Sequence, residues 1–397
     1  MARKAAAGTG NIRKKTVQRS GKDYTYWEAR YTAGYDPGTG KQIQRSITGK
    51  TQKEVAQKLK AATTALDEGT YIAPSKMTVA QWLDTWAEEY LGSVKPLTVS
   101  AYKTTIRNHL KPGLGAIKLE SLAAHHIQSL YNRLSAPQDG STPLSPKTIK
   151  NAHGILHKAL QQAVSNGYIR FNPSDACILP RIIKKELQPL DEKDTKLFLD
   201  AIKGHPFELL YSVTLFTGMR EGEILGLTWD CIDFNKNSIL INKQLQKEKK
   251  VNGAYYLAPL KNDKPRRITP AGWVMQLLRM QKLKQSEEHM RNADCWSNPY
   301  HFVFTNELGG HLIPWTVVRH FKQIVTNIGR PDARFHDLRH SYAVAAIRSG
   351  DDIKTVQGNL GHATASFTLD IYGHVTEQMK EASAARMEQY IKRIREN

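Results

Sequence analysis

The sequence predicts a multidomain, mainly α protein. A small β-sheet with a helix comes first, a central helical bundle follows, and a larger mixed α/β unit ends the chain. Three observations predict this. The chain has 397 residues, more than the ~250–300 that one hydrophobic core organises. A short, strand-like pattern runs from Asn11 to about Ile47. Helical periodicity takes over at Thr78, and short strands return only between Ser238 and Thr269, among further helices.

The N-terminal unit, residues 1–74, opens with a small, basic stretch over residues 1–10 that reads as a flexible arm. The aromatic run Tyr24–Tyr31 and the run Gln42–Ile47 flank a turn at Asp36-Pro37-Gly38-Thr39-Gly40, which is the pattern of a hairpin. Gly40-Lys41 lacks the spacing of a phosphate-binding P-loop. A helix over Thr51–Gly69 offers Val55, Leu59, Ala62 and Leu66 to the sheet. Trp27, Ala29 and Tyr31 alternate toward that helix, leaving Tyr26, Glu28, Arg30, Thr32, Gln42, Gln44 and Ser46 facing outward. A sheet face carrying Arg30, Gln42 and Gln44 suits a DNA major groove, and equally suits plain solvation.

Residues 75–182 read as an all-α unit. Val79, Trp82, Leu83, Trp86 and Tyr90 mark one helix, and Val99, Tyr102, Ile106 and Leu110 a second from about Thr98. A third runs near Ala124–Leu134. The fourth starts with Ser145 as cap and Pro146 in its first turn, and stops at Asn166-Gly167. Lys103, Arg107, Lys147, Lys150 and Lys158 fall off the apolar stripes, where they can meet phosphates or water. His125, His126, His153 and His157 show no metal-ligand spacing.

The last unit, residues 183–397, follows a linker around Pro180–Pro189. Helices are expected at Asp191–Lys203 and Phe207–Thr217, and strands at Ser238–Gln244, Tyr255–Pro259 and Arg266–Thr269. Helices then run from Pro270 onward.

Charge and composition narrow the function. The chain carries 57 Lys+Arg against 37 Asp+Glu, a formal +20. Residues 1–74 and 75–185 each hold 14 basic and 6 acidic residues, so the basic excess sits in the first half and points to a polyanion. No run approaches the ~18 apolar residues of a membrane span, and the Met1-Ala2-Arg3-Lys4 start leads into no apolar stretch. Cys177, Cys231 and Cys295 form neither an even set nor a C-x-x-C pair, the usage expected of reduced thiols in a cytoplasmic protein.

Three short segments carry chemistry. Thr217-Gly218-Met219-Arg220-Glu221-Gly222-Glu223 breaks one helix and starts another at Arg220. Helix N-terminal amides and the guanidinium can jointly hold a phosphate there; the segment can also be a turn closed by an Arg220–Glu223 pair. His336-Asp337-Leu338-Arg339-His340 places His336 and Arg339 three apart on one helix face. Leu360-Gly361-His362 and Ile371-Tyr372-Gly373-His374 follow.

In this order, Arg220, His336, Arg339, His362 and Tyr372 resemble the catalytic set of the tyrosine recombinases, the phage-integrase family. The whole chain is similar to integrases of conjugative transposons. The resemblance implies a three-stranded arm-type DNA-binding domain, a core-binding domain and a catalytic domain of the tyrosine-recombinase type. It also implies a lysine on a hairpin between Arg220 and His336, for which Lys261 is the best match and Lys264 the alternative.

The implied reaction is site-specific integration and excision of a mobile element. Two arginine forks suit a phosphodiester, whose charge grows in the transition state. Tyr372 would be the nucleophile, forming a 3′-phosphotyrosyl bond by transesterification. His336 would be the base and the lysine the acid, with His362 donating to the phosphate. No metal or other cofactor is required. The resemblance brings as partners double-stranded DNA with core-type and arm-type sites, a homo-tetramer on a Holliday junction, and a DNA-bending or excision accessory protein. It places the protein in the bacterial cytoplasm, on the nucleoid when bound. A type IB topoisomerase shares this chemistry, and a catalytically silent DNA-binding regulator shares the charge. The apolar stripe Val375, Met379, Ala382, Tyr390, Ile391, Ile394 can cover its own core or dock on a neighbouring protomer.

Overall fold

The structure, a computed structural model, describes residues 11–19, 21–35, 38–69, 71, 76–138, 140–183, 188–247, 254–260, 264–361 and 376–395. It divides into two compact units, Met1–Lys184 and Lys185–Asn397.

The first unit opens with an antiparallel sheet in the order β1 (Asn11–Arg19), β2 (Lys22–Tyr35), β3 (Gln42–Gly49). The expected hairpin is β2–β3. The third strand that the family resemblance implied is β1, which the residue pattern did not single out; it pairs along β2 from Asn11↔Arg30 to Arg19↔Lys22. Ala29 and Tyr31 are buried, and Val55 and Ala65 are the buried residues of α1 (Gln52–Asp67), which packs against the sheet. Trp27 is only half-buried. Glu28 is on the outer face as expected, yet it is covered rather than solvated. Arg13 Nε and Nη2 donate to its Oε2 at 3.0 and 2.7 Å, and Lys15 and Arg30 close in at 3.7 and 3.9 Å.

The helical part comprises α2 (Val79–Glu89), α3 (Pro96–Thr105), a π-turn Ile106–Leu110, α4 (Lys111–Leu114), α5 (Ala124–Ser135) and α6 (Pro146–Ser165). Sequence periodicity placed one helix over Val99–Leu110. The π-turn interrupts it because Pro112 has no N–H to return to the preceding turn. Fully buried Trp82 donates its indole N–H to the Ala159 carbonyl at 2.8 Å, pinning α2 to α6. His153 and His157 serve locally, bonding Tyr131 at 3.1 Å and Asp175 at 2.9 Å.

In the second unit, α7 (Glu192–Ala201) and α8 (Glu208–Thr217) share an aromatic core with α11 (Pro314–Asn327). Phe198, Tyr211, Phe321 and Phe335 meet there at 5.6–6.2 Å between ring centroids. The short α9 (Glu221–Leu225) leads to a sheet in the order β4 (Ile232–Asp233), β5 (Ser238–Ile241), β8 (Arg266–Ile268). A separate hairpin pairs β6 (Lys243–Lys247) with β7 (Tyr255–Pro259). The single strand expected over Ser238–Gln244 is thus two strands in two sheets, parted at Asn242. The remaining helices are α10 (Gly272–Arg291), α12 (Asp337–Arg348), α13 (Ile353–Leu360) and α14 (Thr376–Arg395). No helix among the described residues is long and apolar enough to cross a membrane.

Candidate active site

Arg220 is placed by a chain break between two helices. Helix α8 ends at Thr217 and is capped by Gly218, whose φ of +63° is left-handed; a Cβ there would lie 2.5 Å from the Tyr342 ring. Only glycine makes this turn without displacing α12. Arg220 is then the N-cap of α9, and Glu223 reaches back to accept its backbone N–H at 2.9 Å. The same carboxylate accepts Arg220 Nη1 at 2.7 Å. The turn closed by an Arg220–Glu223 pair is thus present, and the pair holds the guanidinium in place.

His336 and Arg339 arrive on α12, with His336 at its N-cap. The helix start is anchored by Asp337, which accepts Arg334 at 2.9 Å, and by Ser341, whose hydroxyl accepts the Leu190 N–H at 2.8 Å. Arg339 is only 2 % exposed. Its Nη1 donates to the Gly218 carbonyl at 2.7 Å and its Nη2 to the Leu360 carbonyl at 2.6 Å. Arg220 Nη2 donates to the next carbonyl, Gly361, at 3.1 Å. Two arginines 119 positions apart in the chain thus converge on consecutive carbonyls at the end of α13. Those carbonyls lack helix partners and carry the negative end of the helix dipole, so cations are favoured there.

Electrostatics set the protonation states. Burial alone would push the Glu223 carboxyl up; hydrogen bonds and charge from Arg266 and Arg220 override it and hold it at about 2. Desolvation lowers His336, and the positive charge of Arg339 and Arg220 lowers it further. Its neighbour His340, packed edge-on at 5.0 Å between centroids, is pushed to about 4, first by burial and then by His336. Both rings are therefore neutral near pH 7, and a neutral imidazole can accept a proton.

Of the predicted catalytic residues, the structure brings Arg220, His336 and Arg339 together. Lys264 is described and exposed, two residues before β8. Lys261, His362 and Tyr372 lie outside the described residues. His362 follows directly on Gly361, the C-cap of α13. Sequence reasoning missed Arg266, which shares Glu223 with Arg220, and His340, which packs on His336. Among the described residues no group of three His, Cys, Asp or Glu is arranged to hold a metal ion.

The candidate DNA-facing residues fall on two surfaces. On the sheet, Arg30 is exposed beside Glu28, and Gln42 donates to Thr32 at 2.6 Å while Gln44 donates to Gln42 at 3.3 Å. On the helices, Lys147, Lys150 and Lys158 share the α6 face opposite its buried stripe. Gly154 lies on that same face, and a Cβ there would meet nothing within 4 Å. Lys158 sits over the Tyr102 ring at 5.9 Å, next to Lys103, and Arg107 lies in the π-turn beyond.

The model of the phage integrase family matches residues 188–379, and that of the phage integrase N-terminal SAM-like domain matches residues 78–135. The chain belongs to the phage integrase family, the tyrosine recombinases. It is a site-specific DNA recombinase, a DNA breaking-and-rejoining enzyme. A tyrosine recombinase XerC-like protein of Caldanaerobacter subterraneus is 29 % identical over 93 % of this chain and 96 % of its own length. The ICEBs1 integrase of Bacillus subtilis is 24 % identical over 89 % and 95 %. Among solved structures, the Tn1549 transposon integrase in complex with a circular intermediate DNA covers 79 % of this chain and all of that one, with TM-score 0.66 and 23 % identity. A lambda integrase tetramer bound to a Holliday junction covers 92 % and 96 %, with TM-score 0.52 and 18 % identity. The recombinase therefore has the tyrosine-recombinase fold.

Proposed function

We propose that this recombinase is the integrase of a mobile element and that Tyr372 is its nucleophile. The convergence of Arg220 and Arg339 on the end of α13, beside a neutral His336, carries the reading. In the proposed step the Tyr372 oxygen bonds to the scissile phosphorus and the bond to the 5′-oxygen breaks. His336 takes the phenolic proton, and Lys261 or Lys264 gives a proton to the departing oxygen. Arg220, Arg339 and His362 neutralise the phosphate. The energy of the broken bond is kept in the phosphotyrosyl linkage, so rejoining is the same step reversed.

The domain assignment belongs to the same proposal: residues 1–74 read arm-type sites, 75–182 core-type sites, and 183–397 cut. Arg30, Gln42 and Gln44 face arm-type DNA, and Lys103, Arg107, Lys147, Lys150 and Lys158 the core site. Tyr390, Ile391 and Ile394 are 50, 41 and 55 % exposed rather than packed on their own core. This favours docking of α14 on a neighbouring protomer in a tetramer on DNA. The Holliday-junction complex of the lambda integrase is in keeping with such an assembly. The protein acts in the cytoplasm, on the nucleoid, with an accessory protein that bends DNA or directs excision.

Two-site strand exchange tests the reading. Joined products from two duplexes support a recombinase, whereas supercoil relaxation without exchange supports a topoisomerase. Deleting residues 1–74 is expected to abolish arm-site binding and preserve core-site cleavage; loss of both contradicts the domain assignment.

A further inference from the structure

Three arginines, not two, close the end of α13. The carbonyls of Asn359, Leu360 and Gly361 accept in turn from Arg266 Nε at 2.7 Å, Arg339 Nη2 at 2.6 Å and Arg220 Nη2 at 3.1 Å. Arg266 stands on β8 and its side chain is 9 % exposed. Its two terminal nitrogens fork onto Glu223, Nη1 to Oε1 at 2.9 Å and Nη2 to Oε2 at 2.6 Å. Nε and both terminal nitrogens therefore bond protein acceptors. The residue holds other parts in place rather than meeting DNA itself.

What it holds is Arg220. Glu223 is shared: each carboxylate oxygen accepts one bond from Arg266 and one from Arg220, through the Arg220 side chain on Oε1 and its backbone N–H on Oε2. Gly361 turns over the same guanidinium with φ +64°, and a Cβ there would lie 3.0 Å from Arg266 Cδ. Lysine could replace the charge but not the fork and the carbonyl bond together.

We propose that Arg266 is a positioning residue for the phosphate site: by sharing Glu223 with Arg220 it fixes the aim of the Arg220 guanidinium and ties β8 to the last turn of α13. The proposal rests on the reading of Arg220 as a phosphate ligand. Without Arg266, buried Glu223 keeps one cation instead of two and draws Arg220 toward the vacated arc. A displacement of ~1 Å at such a group costs about 100-fold in rate.

The test is single-turnover cleavage of a nicked core-site duplex by the full-length protein. Intact protein, Arg266→Ala, Arg266→Lys and, as reference, Arg220→Ala are compared on two substrates. One carries the ordinary phosphodiester; the other carries a neutral methylphosphonate at the scissile position, which removes the charge a guanidinium must neutralise. Arg266→Ala is expected to cleave the phosphodiester about 100-fold more slowly at unchanged core-site Kd. The defect is expected to close on the methylphosphonate, as is that of Arg220→Ala, with Arg266→Lys falling between. Should Arg266→Ala fail to fold, Arg266→Lys carries the comparison alone. Equal slowing on both substrates, in variants that melt like intact protein, overturns the proposal, because a merely structural role would not depend on phosphate charge. Absence of any adduct with intact protein overturns the reading of the site beneath it, and is distinguishable since no variant is then needed.

Discussion

Two glutamates in this chain sit beneath arginines, and the contrast between them is one of solvated against fixed cations. On the sheet, the Glu28 side chain is 7 % exposed while Arg13, Lys15 and Arg30 around it are 52, 40 and 56 % exposed. In the second unit, Glu223 is 1 % exposed while Arg220 and Arg266 are 31 and 9 % exposed. Both carboxylates are held below their usual range, Glu28 first by the Arg13 hydrogen bond. The surface cluster keeps its cations in water, where salt screens them and side chains can readjust to a groove. The inner cluster fixes its cations before substrate arrives, as stabilising a transition-state charge demands.

The sharpest way to break this comparison is at Arg339. Arg339→Ala is expected to lower the cleavage rate by about 100- to 1,000-fold, the effect of losing one preorganised donor, in a single-turnover assay. A loss no greater than that of Arg30→Ala would erase the distinction between the clusters. Next comes Glu223→Gln. Removing the charge of a buried ion pair leaves two guanidiniums uncompensated and should cost about 3–5 kcal/mol of stability in denaturant melts. Glu28→Gln should cost far less, and less still at high salt.

Protonation sharpens the same contrast. The carboxyl of Glu223 titrates at about 2, below its ordinary 4.5. Its stabilisation is therefore fully present above about pH 4.5 and lost as pH falls toward 2. His336 must be neutral to accept a proton, and its pKa is below the ordinary 6.5. The acid limb of the cleavage rate is accordingly expected below pH 6.5, and a limb above it would contradict the assignment of His336 as base. The smallest effects belong to the outer surfaces. Single alanine changes at Lys147, Lys150 or Lys158 should weaken core-site binding across sequences and each lower the salt slope by about 1.

The proposed catalytic residues Arg220, His336 and Arg339 were legible because each lies in a short segment with its own pattern: Arg220 after Gly218, and His336 and Arg339 one helical turn apart. Arg266 was not, because Glu223 precedes it by 43 positions and only the fold brings them together. The β1 strand escaped for a different reason. Its two apolar side chains, Ile12 and Val17, stand an odd number of residues apart and point to opposite faces, so no alternation marks it. Four basic residues, Arg13, Lys14, Lys15 and Arg19, and three polar ones fill the rest, a composition suited to a sheet edge. The break at Asn242 carries neither Gly nor Pro; it arises because β5 pairs with β4 and β8 while β6 pairs with β7. On the outer sheet face, alternation gave the direction of Glu28 correctly, but its burial depends on Arg13 from the strand that alternation did not show.

The central claim is that Tyr372 attacks DNA at a site preorganised by Arg220 and Arg339. A nicked duplex carrying the element's end, incubated with the full-length protein in EDTA and resolved on a denaturing gel, tests it most directly. A covalent protein–DNA band with intact protein that vanishes with Tyr372→Phe is the predicted result. A band that persists in Tyr372→Phe would contradict the claim, as would a verified cognate site that is bound by the intact protein without any adduct.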